Sequence, residues 1–331
     1  MNGTMINRQI GHSDLHCSAV GLGTWAIGGW MWGGTDEAQS VQAIQTAIDE
    51  GISLIDTAPA YGMGRAEEIV GNALKGRREK VVLATKCGLV WHTQEGNYFF
   101  DQQDKPVHRY LGKQSILHEV EQSLKRLKTD YIDLYITHWQ DPTTPIAETM
   151  ETLELLKQQG KIRAIGASNV SGDDLKAYVS AGQLESIQEE YSMVHREIET
   201  TLLPYCAEHG ISTLSYSSLA LGLLSGKIGP ERAFADDDQR NTNPRFSLEN
   251  REKVARLMVE IQPIADAHEA TLAQVVIAWT LQQPGITFSL CGARNPQQAA
   301  ENAKAGRLTL QRDEIETIDL AIPRHLTGMA G

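Results

Sequence analysis

Four side chains in this sequence, Asp56, Tyr61, Lys86 and His138, are of the types that could move a proton together. Asp56 and Tyr61 lie in Asp56-Thr57-Ala58-Pro59-Ala60-Tyr61-Gly62, directly after the short β-branched run Ile52-Ser53-Leu54-Ile55. Lys86 follows the apolar run Val81-Val82-Leu83-Ala84-Thr85, and His138 follows Tyr131-Ile132-Asp133-Leu134-Tyr135-Ile136-Thr137. Each residue alone has an ordinary reading: a capping Asp, a Tyr in a turn, a Lys snorkelling from a strand end, a satisfied core His. At the ends of three neighbouring strands they describe a specific chemistry. A phenol of pKa ~10 is a poor proton donor or acceptor at neutral pH. A neighbouring ammonium stabilises the phenolate and is expected to lower that pKa. A carboxylate beside the ammonium keeps it charged despite burial. An imidazole can hold a carbonyl oxygen in line for the phenol. Given a hydride donor, such a set reduces a carbonyl. It needs no Ser or Cys nucleophile, and no spacing of ligand residues in the chain suggests a metal.

These residues must be brought together by the elements that carry them. Eight strand-like runs recur along the chain. They are Ala19-Val20-Gly21-Leu22-Gly23, Ile52-Ser53-Leu54-Ile55, Val81-Val82-Leu83-Ala84-Thr85, Tyr131-Ile132-Asp133-Leu134-Tyr135-Ile136, Ile162-Arg163-Ala164-Ile165-Gly166, Ser186-Ile187-Gln188-Glu189, Ser212-Thr213-Leu214-Ser215-Tyr216 and Ile286-Thr287-Phe288-Ser289-Leu290. Helical stripes alternate with them, such as Val41, Ile44, Ala47 and Ile48, or Ile116, Val120, Leu124 and Leu127. A helix is also expected over about 197–209, and Thr35 or Asp36 can cap the first. Strand–helix alternation with unbroken apolar strands predicts an α/β fold, a (β/α)8 TIM barrel over 1–331 as one domain. A small N-terminal β-hairpin turning at Gly11-His12-Ser13-Asp14 precedes it, and extra helices follow at the C-terminal end. All four reactive side chains then lie on the rim where barrels place their chemistry.

Gly21-Leu22-Gly23-Thr24-Trp25-Ala26 fits GxGxxA on paper, but four more glycines intervene before a helix begins near Asp36, so a Rossmann fingerprint is rejected. The tryptophans of that Gly-rich loop, Trp25, Trp30 and Trp32, suit the wall of an apolar pocket. The chain has 30 basic and 42 acidic residues, a net charge of −12, which disfavours a nucleic-acid partner. No apolar run is long enough for a membrane span or a leader, and Cys17, Cys87, Cys206 and Cys291 are scattered. A soluble cytoplasmic protein, monomer or homo-oligomer, is expected. The stretch 228–246 is the longest without a periodic pattern; its Asp236-Asp237-Asp238 reads as a solvated charge run rather than a metal site.

The ordered motifs resemble the aldo-keto reductase superfamily, whose catalytic tetrad is Asp, Tyr, Lys and His. The resemblance rests on Gly21-Leu22-Gly23-Thr24-Trp25, Asp56-Thr57-Ala58-Pro59-Ala60-Tyr61-Gly62, Ser123-Leu124-Lys125-Arg126-Leu127, Asp130-Tyr131-Ile132-Asp133-Leu134, Gly166-Ala167-Ser168-Asn169, Tyr216-Ser217-Ser218-Leu219 and Gly292-Ala293-Arg294-Asn295-Pro296. Within it, the chain looks most like the bacterial inositol-catabolism and general-stress reductases. The resemblance implies an NADPH/NADP+-dependent reduction of aldehydes or ketones, with NADH as a weaker cofactor and sugar aldehydes, dicarbonyls or small aromatic aldehydes as substrates. Tyr61 would be the proton donor, Lys86 and Asp56 would tune it, and His138 would orient the carbonyl. Gly23, Thr24 and Trp25 would lie at the cofactor. Ser168, Asn169 and Gln188 would hold the nicotinamide carboxamide and Tyr216 would stack on its ring. Ser217, Leu219, Gly222, Leu223, Ser225 and Lys227 would line the pyrophosphate. Gly292, Ala293, Arg294, Gln298, Glu301 and Asn302 would meet the adenosine end. Many members carry a lysine where Gly292 stands and an arginine where Gln298 stands, which leaves Arg294 as the cation for a 2′-phosphate. Trp25, Trp30, Trp32, Trp91, Tyr98 and Trp139 would wall the substrate. A different class, the potassium-channel β-subunits, shares the implied barrel and tetrad and acts through binding or redox sensing; the short N-terminus favours the enzyme.

Overall fold

The computed structural model describes residues 3–32, 34–236 and 238–329; Gly33 of the Gly/Trp loop and Asp237 of the acidic triplet lie outside them. The strands in chain order are β1 (Asn7–Gln9), β2 (His16–Ser18), β3 (Val20–Gly23), β4 (Leu54–Asp56), β5 (Val82–Cys87), β6 (Leu89–Val90), β7 (Asn97–Gln102), β8 (Lys105–Arg109), β9 (Ile132–Thr137), β10 (Ile162–Ser168), β11 (Ser186–Glu190), β12 (Ser212–Tyr216) and β13 (Phe288–Gly292). The helices are α1 (Glu37–Asp49), α2 (Arg65–Ala73), α3 (Lys113–Leu127), α4 (Ile146–Gln158), α5 (Gly172–Ala181), α6 (Leu203–Glu208), α7 (Leu248–Ala267), α8 (Leu272–Leu281), α9 (Pro296–Ala305) and α10 (Arg312–Leu326).

Strands β3, β4, β5, β9, β10, β11, β12 and β13 pair in parallel and close into a barrel, β13 returning to β3. Side chains alternate across each strand, so one set points into the barrel and the other meets the helices. Leu54, Val82, Ala84, Leu134, Ile136, Ala164, Leu214, Phe288 and Leu290 form the inner cluster. The residues between them, among them Ile55, Leu83, Tyr135 and Ile165, pack in the outer layer with Ile44, Ile69, Ile116 and Leu153 of α1 to α4. Burying each such Leu or Ile contributes roughly 1.5–3 kcal/mol. The hairpin β1–β2 covers the N-terminal end: Ile10, Leu15 and Cys17 join the inner cluster as its floor.

Local chemistry explains where elements begin and end. The Asp36 side chain accepts from the Gln39 backbone N–H at 3.0 Å and caps α1. Ser171 with Asp174 and Thr271 with Gln274 form capping boxes on α5 and α8. Gly51, with φ +96°, takes the left-handed turn that leads from α1 into β4. The extra helices α7 and α10 lie against each other, His268 bonding Glu314 at 2.9 Å.

Three details depart from the sequence reading. The expected helix over 197–209 is broken into a 3-10 turn, Glu197–Glu199, and α6, because Pro204 lacks an N–H and is accommodated only in a first helical turn. β5 runs through Lys86 to Cys87, so Lys86 lies within the strand. An antiparallel sheet, β6–β8–β7, stands between β5 and α3. Its β7–β8 turn, Gln103-Asp104, has φ +51° and +58°, a two-residue hairpin geometry built without the Asn or Gly that would mark it in sequence. Among the described residues, no helix is long and apolar enough to cross a membrane.

Candidate active site

Two residues beyond the inner apolar layer, the same inward alternation presents polar groups. Asp56 ends β4, Lys86 lies on β5, His138 follows β9, and Ser168, Gln188 and Tyr216 come from β10, β11 and β12. Lys86 is fully buried and Asp56 is 3% exposed. The Lys86 ammonium donates to both Asp56 oxygens at 2.8 Å, to the Thr57 carbonyl at 2.9 Å and to the Tyr61 hydroxyl oxygen at 3.1 Å. Gln188 Nε2 adds a bond of 2.9 Å to Asp56 Oδ1. A buried ion pair is tolerated only when its remaining donors and acceptors are met in this way. The Tyr61 and His138 rings meet edge to face, centroids 5.7 Å apart. Tyr61 is fixed by its neighbours: a Cβ on Gly28 would fall 2.7 Å from the Tyr61 carbonyl carbon, so the loops after β3 and β4 dock backbone to backbone.

The electrostatics differ from the expectation for Tyr61. Burial, and then the Asp56 charge, hold its pKa well above the usual 10, outweighing the pull of Lys86. The phenol therefore keeps its proton at neutral pH. Burial lowers the Lys86 pKa, against the attraction of Asp56. Burial, and then Lys86, push the His138 imidazole well below its usual range, so it is neutral. Among the described residues none hydrogen-bonds its ring nitrogens, which leaves a neutral imidazole free to meet a ligand oxygen. The arrangement can donate one proton to an oxygen held between Tyr61 and His138.

A cavity of about 780 Å³ opens from this point across the C-terminal mouth of the barrel. At its near end Asn169 donates to the His138 carbonyl at 2.9 Å and accepts the Tyr216 hydroxyl at 2.8 Å, while Ser168 donates to the Gln188 carbonyl at 2.7 Å. Farther along, Ser217, Ala220, Leu221 and Gly222 all have positive φ. The turn closes on itself, the Ala220 and Gly222 N–H groups donating to the Ser217 and Leu219 carbonyls at 2.6 and 2.9 Å, and it lines the cavity as compact backbone. No Cβ-sized obstruction lies nearer than 3.9 Å at Gly292. At the far end Lys227 pairs with Glu301 at 2.7 Å, and Arg294 donates to the Gly34 carbonyl at 3.0 Å. An amide-lined end, a ring platform, a compact backbone turn and a cationic end fit a nicotinamide dinucleotide.

The cavity collects most of the residues expected at a site. Its lining includes Gly23, Trp25, Asp56, Tyr61, His138, Ser168, Asn169, Gln188, Tyr216, Ser217, Leu219, Gly222, Ser225, Lys227, Gly292, Arg294, Gln298, Glu301 and Asn302, with Trp30, Trp32 and Trp139. Lys86 lies beneath it. Thr24, Leu223 and Ala293 are buried behind the lining, Thr24 bonding the Asp56 carbonyl at 3.0 Å. Trp91 and Tyr98 are corrections to the expected substrate wall. Trp91 borders a separate cavity of about 140 Å³ with His118 and Glu119. Tyr98 is 54% exposed. The pairing of β7 with β8 shifts between Tyr98 and Phe100, and this bulge puts the two on opposite faces of the strand. Phe100 lines the main cavity instead, with Ala26, Ala60, Leu89, Ile228 and Arg240, none of which the sequence reading selected for a site. The aromatic run Tyr98-Phe99-Phe100 was a visible signal for that wall, but without the bulge its facing is reversed.

The aldo/keto reductase family model matches residues 19–322. An NADH-specific methylglyoxal reductase from Escherichia coli (strain K12) is 43% identical over 323 residues, covering 94% of this chain and 98% of the relative. Among solved structures, a glycerol dehydrogenase from Gluconobacter oxydans superposes with a TM-score of 0.88 at 38% identity, covering 98% of this chain and 97% of that one. An aldo/keto reductase from Klebsiella pneumoniae in complex with NADP and acetate superposes with a TM-score of 0.73 at 30% identity, covering 97% and 96%.

Proposed function

This chain belongs to the aldo/keto reductase family and is an oxidoreductase acting on aldehydes or ketones, and on that premise we propose that Tyr61, Lys86, Asp56 and His138 carry its chemistry with NADP(H) as preferred cofactor. The observation that carries this reading is the buried ammonium of Lys86, bound at 2.8 Å to Asp56 and at 3.1 Å to the Tyr61 oxygen. A bound nicotinamide supplies hydride to the carbonyl carbon, or accepts it from an alcohol. Ser168, Asn169 and Gln188 would hold its carboxamide, Tyr216 its ring face, the 217–227 turn its pyrophosphate and Arg294 a 2′-phosphate. NADH is the weaker cofactor in this reading, although one relative is named NADH-specific.

The residues' own work is proton handling. His138, neutral, donates to the carbonyl oxygen and orients it. Tyr61, held protonated by its burial, gives its proton to that oxygen as negative charge develops there. Lys86 stabilises the phenolate left behind, and Asp56 keeps Lys86 charged. Sugar aldehydes, dicarbonyls and small aromatic aldehydes are the candidate substrates, and the names of the relatives support both carbonyl reduction and alcohol oxidation.

Tyr61→Phe tests this assignment. The ring still packs against His138, so cofactor affinity, followed by tryptophan fluorescence, is expected to persist. Turnover of a good aldehyde should fall by far more than tenfold, the change that ~1.4 kcal/mol of barrier produces. A variant within tenfold of wild type removes Tyr61 from the proton step.

A further inference from the structure

The carbonyl end of the cavity has a composition of its own. Ala60 adjoins Tyr61 and Trp139 adjoins His138 in the chain, and both pack in one cluster with Leu89, Phe99 and Phe100. Phe100, turned inward by the β7 bulge, stacks on Trp30 with centroids 5.5 Å apart and planes 13° apart. Phe99 contacts both Phe100 and Trp139 at 5.2 Å. Loops after β3, β5 and β9 are thereby joined into one aromatic wall beside the phenol and the imidazole. The cations lining the cavity, Lys227, Arg232, Arg240 and Arg294, come instead from the loops after β12 and β13. Lys227 is paired with Glu301, and Arg240 with Asp238.

Resting on the reductase reading above, we propose that Phe100, stacked on Trp30, sets the substrate class of this site: uncharged carbonyls with a flat apolar or aryl body. A carboxylate on the substrate would lose its water against rings and alkyl groups, which is strongly unfavourable; the cations nearest this wall, Arg240 over the Trp32 ring and Arg109 over the Phe99 ring, are already engaged with Asp238 and Asn97. A polyhydroxylated aldehyde would bury several hydroxyls against the same wall with few partners, each a lost hydrogen bond. An aryl ring gains both buried area and an offset or edge contact with Trp30, Phe100 or Trp139. Phe100 is a specificity-determining residue in this account; it takes no part in proton transfer.

The test uses the full chain with NADPH and three aldehydes: methyl 4-formylbenzoate, 4-formylbenzoate and glyceraldehyde. The ester and the acid differ mainly in charge. The wild-type kcat/KM for the ester should exceed that for the acid by about thirtyfold or more, through KM, or ~2 kcal/mol. In Phe100→Ala, the ratio of kcat/KM for the ester over glyceraldehyde should fall about tenfold. Phe100→Leu, which keeps apolar volume and so guards against a folding failure, should lower the same ratio in the same direction. Phe100→Arg should raise the kcat/KM of the acid relative to the ester. An ester-to-acid ratio within about threefold in the wild type, or ester-to-glyceraldehyde ratios unmoved by both Phe100→Ala and Phe100→Leu, overturns the inference while leaving the reductase reading intact. Absence of turnover with any aldehyde overturns the reductase reading and this inference with it.

Discussion

Tyr61 stands between two opposed influences, and which of them wins sets the pH behaviour. Lys86, 3.1 Å away, favours the phenolate, but burial and the Asp56 charge favour the phenol and prevail. His138 is pushed below its ordinary range by burial and by the same ammonium. Carbonyl reduction needs the phenol and the neutral imidazole, and both are the forms present from about pH 6 to about pH 9. The kcat/KM of reduction is therefore expected to be flat across that window, with no inflection near 6.5. Alcohol oxidation needs the phenolate and should rise with pH over the same range. An acidic limb near 6.5 that disappears in His138→Asn would show a titrating imidazole and contradict this. The four residues themselves were legible because type and strand-end position are local properties of the sequence. The direction of the Tyr61 shift was not, because desolvation depends on groups brought up from other strands. Tyr61 lies five positions from Asp56, yet its strongest determinant is what covers it.

At the level of elements, the cofactor cleft is bounded by loops that touch across the mouth. Arg294, after β13, donates one bond to the Gly34 carbonyl in the loop after β3, and its backbone N–H bonds Gln298 at 2.9 Å. A guanidinium has five donors, so among the described residues the remaining ones are free for a phosphate. A charge-assisted bond of this kind contributes roughly 1.5–3 kcal/mol. Arg294→Ala is expected to raise the NADPH dissociation constant by about ten- to a hundredfold while that of NADH changes little. Fluorescence titration with both cofactors decides it: equal weakening would mean that Arg294 serves the Gly34 contact and the loop rather than the phosphate. The barrel strands were readable as apolar runs, and their inward alternation carried the polar ring with it. The β7–β8 hairpin was not readable. Its turn lacks Gly or Asn, and a bulge shifts the facing of the very residues that matter. Loop 228–246 likewise gave no periodic signal, although Phe246 is buried and Arg240 lies over the Trp32 and Phe234 rings.

At the scale of the whole molecule, two buried carboxyl groups among the described residues favour their neutral form. Glu119 accepts from the Gly88 N–H at 3.0 Å and Glu189 from the Val170 N–H at 3.0 Å, each 6% exposed. Burial pushes both up to about 8. Each is raised above its unfolded value, so its contribution is full below about pH 4.5 and is lost as pH rises through about 8. Global stability should decline between about pH 5 and about pH 8, by at most a few kcal/mol for each group. Thermal melts of Glu119→Gln and Glu189→Gln should lose part of that slope; an unchanged slope would assign it elsewhere. The inner core has a different consequence. Beneath the tetrad lie the apolar inner cluster and the Cys17 thiol, itself pushed up to about 12, with the β1–β2 hairpin as floor; the polar exceptions include the buried Ser186 hydroxyl below Gln188 and Ser212, which bonds the hairpin backbone at Gln9 and Gly11. The barrel is a blind cup among the described residues: the Ser186 hydroxyl has no hydrogen-bond partner and Ser212 is tied to the hairpin backbone, so the two do not join into a chain of hydrogen bonds to the tetrad. The phenol that has just protonated an alkoxide must be recharged from the same opening through which the alcohol departs. Departure of product and readiness for the next substrate are thus a single event, and a molecule that lingers in the aromatic throat delays both.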